Sequence, residues 1–283
     1  MIFLENITFP SDDKESAFIW GIKETCFNSY YPFRTLAING LSRLDFEPLT
    51  VLYGGNGSGK TTALNVIAEK IAAKRGAVFN RTNFFTNYVD MCETELSGET
   101  PEEIRIITSD DVFDYMLNIR NLNEGLDGRR EEIFDEYKDA KYAKVQMKTM
   151  ADYDRLKTVV DARRKTKSRY TRGEMPGNVR EFSNGESAYK FFTEKIGENG
   201  LYILDEPENS LSPKRQAELA QFIEDAARFF GCQIILSTHS PFLLAMRGAR
   251  IYDMDNHAAT KKWTELENVR LLREFFEARQ GEF

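Results

Sequence analysis

Gly54-Gly55-Asn56-Gly57-Ser58-Gly59-Lys60-Thr61-Thr62 follows the apolar run Leu49-Thr50-Val51-Leu52-Tyr53 and precedes Ala63-Leu64-Asn65-Val66-Ile67-Ala68. The order reads as strand, glycine-rich turn, helix. Glycines let consecutive backbone N–H groups curl around a polyphosphate without Cβ clashes, and the helix that follows turns its positive end to the same anion. This is the pattern of a P-loop. Gly54, Asn56, Gly57, Ser58 and Gly59 form the expected cradle, and Lys60 is expected to bridge the terminal phosphates. The Thr61 hydroxyl is expected to join the coordination of Mg²⁺, and Thr62 to cap adjoining phosphate contacts.

A P-loop calls for an acidic partner at the end of another buried strand. Leu201-Tyr202-Ile203-Leu204 is such a strand, and it ends in Asp205-Glu206-Pro207-Glu208. Asp205 is placed to hold Mg²⁺ through its waters, while Glu206 points the other way and is placed to polarise an attacking water. Pro207 stops the strand. Asn209-Ser210-Leu211-Ser212 then leads to Pro213, a suitable first residue for a helix running to about Phe230, with Gly231 as its C-terminal cap. The next strand, Gln233-Ile234-Ile235-Leu236, finishes in Ser237-Thr238-His239-Ser240-Pro241. His239 therefore sits at a strand tip, where an α/β sheet places its ligand chemistry, and is expected to donate to a γ-phosphate. His257, in a polar turn, has no such support.

Upstream of these motifs, Phe182-Ser183-Asn184-Gly185-Glu186-Ser187 stands before the amphipathic run Ala188-Tyr189-Lys190-Phe191-Phe192. Ser183 or Asn184 is the expected N-cap, and the exposed N–H groups of that turn form a second anion site. Taken alone, the segment is a capped helix.

Residues 1–53 read mainly as β structure with turns, in the segments 2–4, 17–20, 35–38 and 44–46. Tyr30-Tyr31-Pro32-Phe33 is an aromatic cluster on a loop. Tyr31 is its candidate for stacking on an adenine ring, and a hydrophobic plug under the first sheet is the alternative. After the P-loop the helix is expected to fade near Arg75-Gly76. Residues 79–88 read as a loop, 104–107 as a strand and 110–119 as a helix.

Residues 120–172 differ in kind, with 15 Lys or Arg against 10 Asp or Glu in an otherwise acidic chain. Spaced apolar residues (Ile133, Phe134, Tyr137, Tyr142, Val145, Met147, Met150, Leu156, Val159) suggest helices projecting from the core as a hairpin. The basic excess concentrates in Arg163-Arg164-Lys165-Thr166-Lys167-Ser168-Arg169-Tyr170-Thr171-Arg172. That run suits nucleic-acid phosphates or an acidic partner, and equally a solvated helix end or a link back to the core. Beyond it, 249–254 reads as a last strand and 267–279 as a helix.

Composition bounds the rest. With 41% hydrophobic and 29% charged residues and a net charge of −7, the chain has the make-up of a soluble globular protein and not of an indiscriminate nucleic-acid binder. No apolar run approaches a membrane span and no signal-like start is present, so a cytoplasmic location is expected and direct membrane insertion is not. Cys26, Cys92 and Cys232 are scattered and odd in number, which suggests neither a disulfide framework nor a zinc site.

The ordered set GGNGSGKT, SNGES, LYILDEPE, NSLS and STHS resembles the ATP-binding cassette (ABC) ATPase superfamily. These would be Walker A, a variant signature, Walker B with its catalytic glutamate, the D-loop and the switch histidine. The details are similar to small stand-alone bacterial ATPases of the AAA/ABC type, near the RecF and chromosome-maintenance branch. Tyr31-Pro32-Phe33 fits that group.

The resemblance implies an α/β P-loop fold: a mixed sheet flanked by helices, with core 1–100 and 177–283 and a charged helical insert over about 101–176. It implies ATP and Mg²⁺ as cofactors. Glu206, His239 and Lys60 would be the catalytic residues, and Thr61 and Asp205 the metal ligands. Ser183, Asn184, Gly185 and Glu186 of one copy would close on the nucleotide held by another, giving an ATP-dependent head-to-tail homodimer. Two departures stand out. The signature reads SNGE where transporters carry SGGQ, and no glutamine occurs between the P-loop and residue 145, leaving Asn83 or Asn87 for the Q-loop position. The leading expectation is an ATPase that switches an unidentified protein partner, in DNA maintenance or defence. The ATP-binding subunit of a transporter and a non-hydrolysing ATP-gated module are its rivals.

Overall fold

The apolar runs that lead into the glycine-rich turn and into its acidic counterpart lie in one sheet, parallel to each other and on either side of a third strand. The computed structural model describes residues 1–24, 26–144, 152–175, 177–178 and 184–282. Two units are distinguished, Met1–Asp114 with Ser183–Phe283, and Tyr115–Phe182.

The first unit starts with β1 (Leu4–Thr8), α1 (Asp12–Gly21), β2 (Arg43–Asp45) and β3 (Leu49–Tyr53). The P-loop leads into α2 (Lys60–Lys70), followed by α3 (Phe85–Met91), β4 (Glu93–Leu96) and β5 (Glu103–Thr108). Next, α4 (Ser109–Tyr142) carries the chain into the second unit, which adds α5 (Asp152–Arg164) and α6 (Lys167–Glu174). The return comprises α7 (Asn184–Lys195), β6 (Gly200–Asp205), α8 (Pro213–Phe229), β7 (Gln233–Ser237), the single turn α9 (Pro241–Leu244), β8 (Arg250–Asp253), β9 (Ala259–Thr260) and α10 (Glu267–Glu277).

Strands β5, β6, β7, β3 and β8 lie side by side and parallel, and β9 pairs antiparallel with β8 at the edge. A smaller antiparallel sheet has the order β2-β1-β4. In α2, Ala63, Leu64, Val66, Ile67 and Ala68 share one core with Leu4, Ile7 and Leu44 of the small sheet and with Leu201, Ile203 and Ile235 of the large one. A helix enclosed from both sides is buried all round in place of along a stripe, and 62–68 is buried without a break, the polar Asn65 included. Gln233 stitches the sheets together: its Oε1 accepts from Phe3 N and Leu4 N, both at 2.8 Å, and its Nε2 donates to Leu4 O at 2.7 Å.

Several elements differ from the expectations above. Residues 17–20 are helical, because Ser11 caps α1 by accepting from Lys14 N and Asp12, Asp13 and Glu15 occupy its first turn. These signals outweigh the β propensity of Phe18-Ile19-Trp20. Residues 35–38 form turns. The P-loop helix stops at Lys70, and the 79–88 segment expected as a loop contributes most of α3. Strand β4, polar in sequence, has its partner in β1. β5 pairs along its length with β6 and so belongs to the main sheet, which puts the division between the units at 114/115 and 182/183.

Within the second unit, Ile133 and Tyr137 of α4, Ala162 of α5 and Tyr170 of α6 form a small core. The basic run serves this unit in part. Arg163 donates to the carbonyls of Lys141 (3.3 Å) and Ala143 (2.8 Å), which end α4, and Lys167 Nζ lies 3.5 Å from the centre of the Phe134 ring. Lys165 pairs with Asp161 at 3.0 Å. Arg164, Arg169 and Arg172 are exposed. Tyr142 is exposed too, while Val145, Met147 and Met150 lie outside the described residues.

Candidate functional site

Strand register brings three loops to one edge. Asp205 is paired with Ser237, and Ser237 with Leu52, so the chain leaves β6, β7 and β3 side by side at their C-terminal ends. The P-loop that follows β3 depends on its glycines. Gly59 has φ +91°, and a Cβ there would meet Leu36 Cδ2 at 3.0 Å; at Gly54 it would meet Ser58 Oγ at 2.7 Å. Two side chains brace the loop from outside. Asp255 Oδ2 accepts from Gly55 N at 2.6 Å, and Asn39 Nδ2 donates to Ser58 O at 2.9 Å.

Lys60 is 4% exposed, and its Nζ donates to Gly54 O (2.7 Å) and Gly55 O (3.0 Å). Burial lowers its pKa, and the carboxylates of Glu206 and Asp205 oppose that shift. Asn56, Gly57, Thr61, Thr62 and Glu206 line the cavity above the loop together with Thr35. Within the loop, Ser58 Oγ is buried without a hydrogen-bond partner among the described residues. A glycine cradle with an orphaned hydroxyl and a buried ammonium fits a phosphate chain.

Asp205 Oδ1 accepts from Thr61 Oγ1 at 3.2 Å and from Ser237 Oγ at 2.5 Å. Burial pushes this carboxyl group's pKa up, and the two hydroxyl bonds pull it down. Among the described residues no group of three or more His, Cys, Asp or Glu side chains is arranged to hold a metal. One hydroxyl beside one carboxylate fits Mg²⁺, which takes its remaining oxygens from phosphate and water.

Glu206 has a left-handed backbone, φ +48°. Such a conformation costs a non-glycine residue about 1–3 kcal/mol and occurs where the surroundings impose it. Here Glu206 N donates to Ser237 O (3.2 Å) and Ser237 Oγ (3.1 Å). Its carboxylate accepts from Asn209 Nδ2 at 3.0 Å and lies 3.6 Å from His239 Nε2.

The aromatic cluster divides. Phe33 is buried and stacked on Phe18 with ring centroids 4.8 Å apart, as a plug would be. Tyr31 has its ring against Phe85 (5.9 Å), and its hydroxyl donates to Thr62 Oγ1 at 3.1 Å beside the P-loop. Ser183 lies outside the described residues. Asn184, Gly185 and Glu186 open α7, and a Cβ on Gly185 would stand 3.4 Å from Ser210 O. Glu186 pairs with Arg215 at 3.5 Å. The start of α7 thus packs on the 209–212 turn of its own chain. Asn83 and Asn87 are both exposed.

Sequence reasoning missed the bracing residues. Asn39, Asp255 and Asn268 lie in loops or at a helix start, and only the fold brings them to the site. Asn268 Nδ2 donates to His239 O at 2.8 Å. Glu208 had a visible signal, a second carboxylate one residue past Pro207, and it accepts from His239 N at 2.6 Å.

The ABC transporter family model matches residues 43–209. A second model, of the AAA domain with AbiEii toxin and type IV TA system in its description, matches residues 176–245. No curated protein matches the chain. Among solved structures, the ATP-binding cassette MJ0796 bound to ADP and Pi is 15% identical, with a TM-score of 0.39, covering 79% of this chain and 90% of that one. The Smc head domain of Pyrococcus furiosus, solved with the C-terminal domain of ScpA, is 13% identical with a TM-score of 0.40, covering 97% and 100%. The SMC head domain of Thermotoga maritima is 12% identical with a TM-score of 0.38, covering 89% and 94%. Because the first family model takes in more than half of the residues, including the P-loop and the acidic end of β6, the chain belongs to the ABC family and its first unit is an ATP-binding cassette on the P-loop fold.

Proposed function

We propose that this chain hydrolyses ATP with Mg²⁺ between two copies arranged head to tail, in the cytoplasm, and that the cycle switches a protein partner in DNA maintenance or defence. The observation that carries the reading is the setting of Glu206: held left-handed at the tip of β6, oriented by Asn209 and 3.6 Å from His239, it lines the same cavity as Lys60 and Thr61.

In this reading Lys60 exchanges the carbonyls of Gly54 and Gly55 for phosphate oxygens, and the P-loop N–H groups hold the rest of the chain of phosphates. Thr61 and Asp205 hold Mg²⁺, which when bound offsets the negative charge of the phosphate oxygens. Glu206 takes a proton from the attacking water, and His239 donates to the phosphoryl group. Asn184, Gly185 and Glu186 face a second copy's nucleotide, and the contact of Gly185 with Ser210 and the Glu186–Arg215 pair set them beside the D-loop turn of their own chain. Arg164, Arg169 and Arg172 supply the exposed basic side chains for nucleic acid.

Phosphate release by the purified protein tests the reading. Glu206→Gln is expected to bind ATP, accumulate as a dimer and lose about 10²–10⁴-fold in turnover, the range typical for a general base; Lys60→Ala is expected to bind ATP poorly. Normal turnover by Glu206→Gln would sink the assignment. A second reading, the ATP-binding subunit of a transporter, draws on the description of the family model. The missing Q-loop glutamine weighs against it, and recovery of a membrane permease with the Glu206→Gln protein would reverse the order.

A further inference from the structure

The turn after β6 carries a carboxylate that the hydrolytic scheme leaves unused. Glu208 is buried, 9% exposed, and its Oε1 accepts from His239 N at 2.6 Å and from Ser240 N at 3.2 Å. Burying a carboxylate is costly, and burial pushes its pKa up while the backbone N–H bonds pull it down. Filling a turn does not require such a group.

The other side of the same peptide is held from a different element. Asn268, in the first turn of α10, donates through Nδ2 to His239 O at 2.8 Å, and its own N–H donates to Tyr53 Oη at 3.3 Å. Tyr53, the last residue of β3, presents its ring edge-on to the His239 imidazole with centroids 6.3 Å apart. Both ends of the His239 backbone are therefore gripped. The ring is not: Nε2 is buried without a hydrogen-bond partner among the described residues, and Glu206 Oε1 is 3.6 Å away. The main-chain bonds set where the His239 Cα–Cβ bond points, and the Tyr53 ring and Glu206 stand beside the imidazole it carries.

We infer that Glu208 is the positioning residue of His239, setting through the backbone of 239–240 where the imidazole stands relative to Glu206, with Asn268 as the opposite jaw of the clamp. The inference rests on the reading of His239 as the switch histidine. It makes the last residue of the Asp205-Glu206-Pro207-Glu208 turn part of the hydrolytic geometry without contact to the nucleotide.

A double-mutant cycle on the full chain tests it, with ATP turnover and ATP binding measured for wild type, Glu208→Ala, His239→Ala and the pair. Glu208→Ala is expected to lower kcat about tenfold and leave the KM for ATP within about twofold, because it acts on the histidine and not on the P-loop. On the His239→Ala background the same change is expected to alter residual turnover by less than about twofold. Glu208→Gln, whose amide oxygen still accepts from both N–H groups, is expected to recover kcat to within about threefold of wild type.

Equal losses on the two backgrounds would overturn the inference while leaving the histidine reading intact, as would a raised KM with unchanged kcat. Wild-type turnover by His239→Ala would overturn both. Should Glu208→Ala fail to fold, Glu208→Gln replaces it in the cycle, with about a threefold fall expected on wild type and none on His239→Ala; equal falls would again overturn it.

Discussion

Asp205 and Glu206 are neighbours in sequence and opposites in environment. Asp205 ends a regular strand, half-buried and held by the hydroxyls of Thr61 and Ser237. The left-handed backbone of Glu206 swings the next carboxylate to Asn209 and His239 instead. The sequence predicts the separation from strand alternation; in the structure it comes from the left-handed turn at Glu206, one residue past the end of β6. The bracing of the P-loop was not legible in the sequence, because Asp255 stands 200 residues from Gly55 and no local pattern links them. Asp255→Ala frees the Gly55 N–H and is expected to weaken ATP binding about three- to tenfold, at the low end for a charge-assisted bond because Asp255 is exposed. Titration with a fluorescent nucleotide measures it; unchanged affinity would show that the loop holds its shape unaided.

Among the elements, those that carry motifs were the readable ones. Strands β3, β6 and β7 are apolar and short, and each gives way to a turn-forming or polar segment, so their limits follow from composition. Helix α1 is misread from sequence and strand β4 is not anticipated, for one physical reason: their apolar content is misleading or low. Capping decides α1, and pairing with β1 decides β4. The Gln233 bridge also lies beyond local reading, since a glutamine at the start of a buried strand gives no hint that it completes β1. Gln233→Leu would orphan two backbone N–H groups and one carbonyl, and is expected to cost about 2–4 kcal/mol. Urea unfolding measures the loss, with faster hydrogen exchange expected at Phe3 and Leu4 first. An unchanged midpoint would mean that β1 finds other partners.

For the whole molecule, the ABC family match runs through residues 43–209 and so takes in the second unit, which has a small core of its own around Ile133, Tyr137, Ala162 and Tyr170. Its basic run illustrates why charge counts mislead: Arg163, Lys165 and Lys167 are spent on carbonyls, a carboxylate and a ring within the unit, and Arg164, Arg169 and Arg172 are the exposed remainder. If two copies complete each site, turnover per chain is expected to rise with protein concentration and level off once dimers form. Activity independent of concentration, in a protein that sediments as a monomer with Mg-ATP, would rule out the composite site.

Strand β3, which bears the P-loop, has no neighbour from its own half of the sequence. Its partners are β7 and β8, the first of them beginning at Gln233, about 180 residues after Tyr53. Protein synthesis at about 5–20 residues per second leaves β3 without either edge partner for roughly ten to forty seconds. During that interval a strand buried along its whole length and a helix buried from Thr62 to Ala68 have emerged without the sheet that will cover them. The yield of folded protein, as distinct from its final stability, then depends on what shields residues 49–70 while the remaining chain is made.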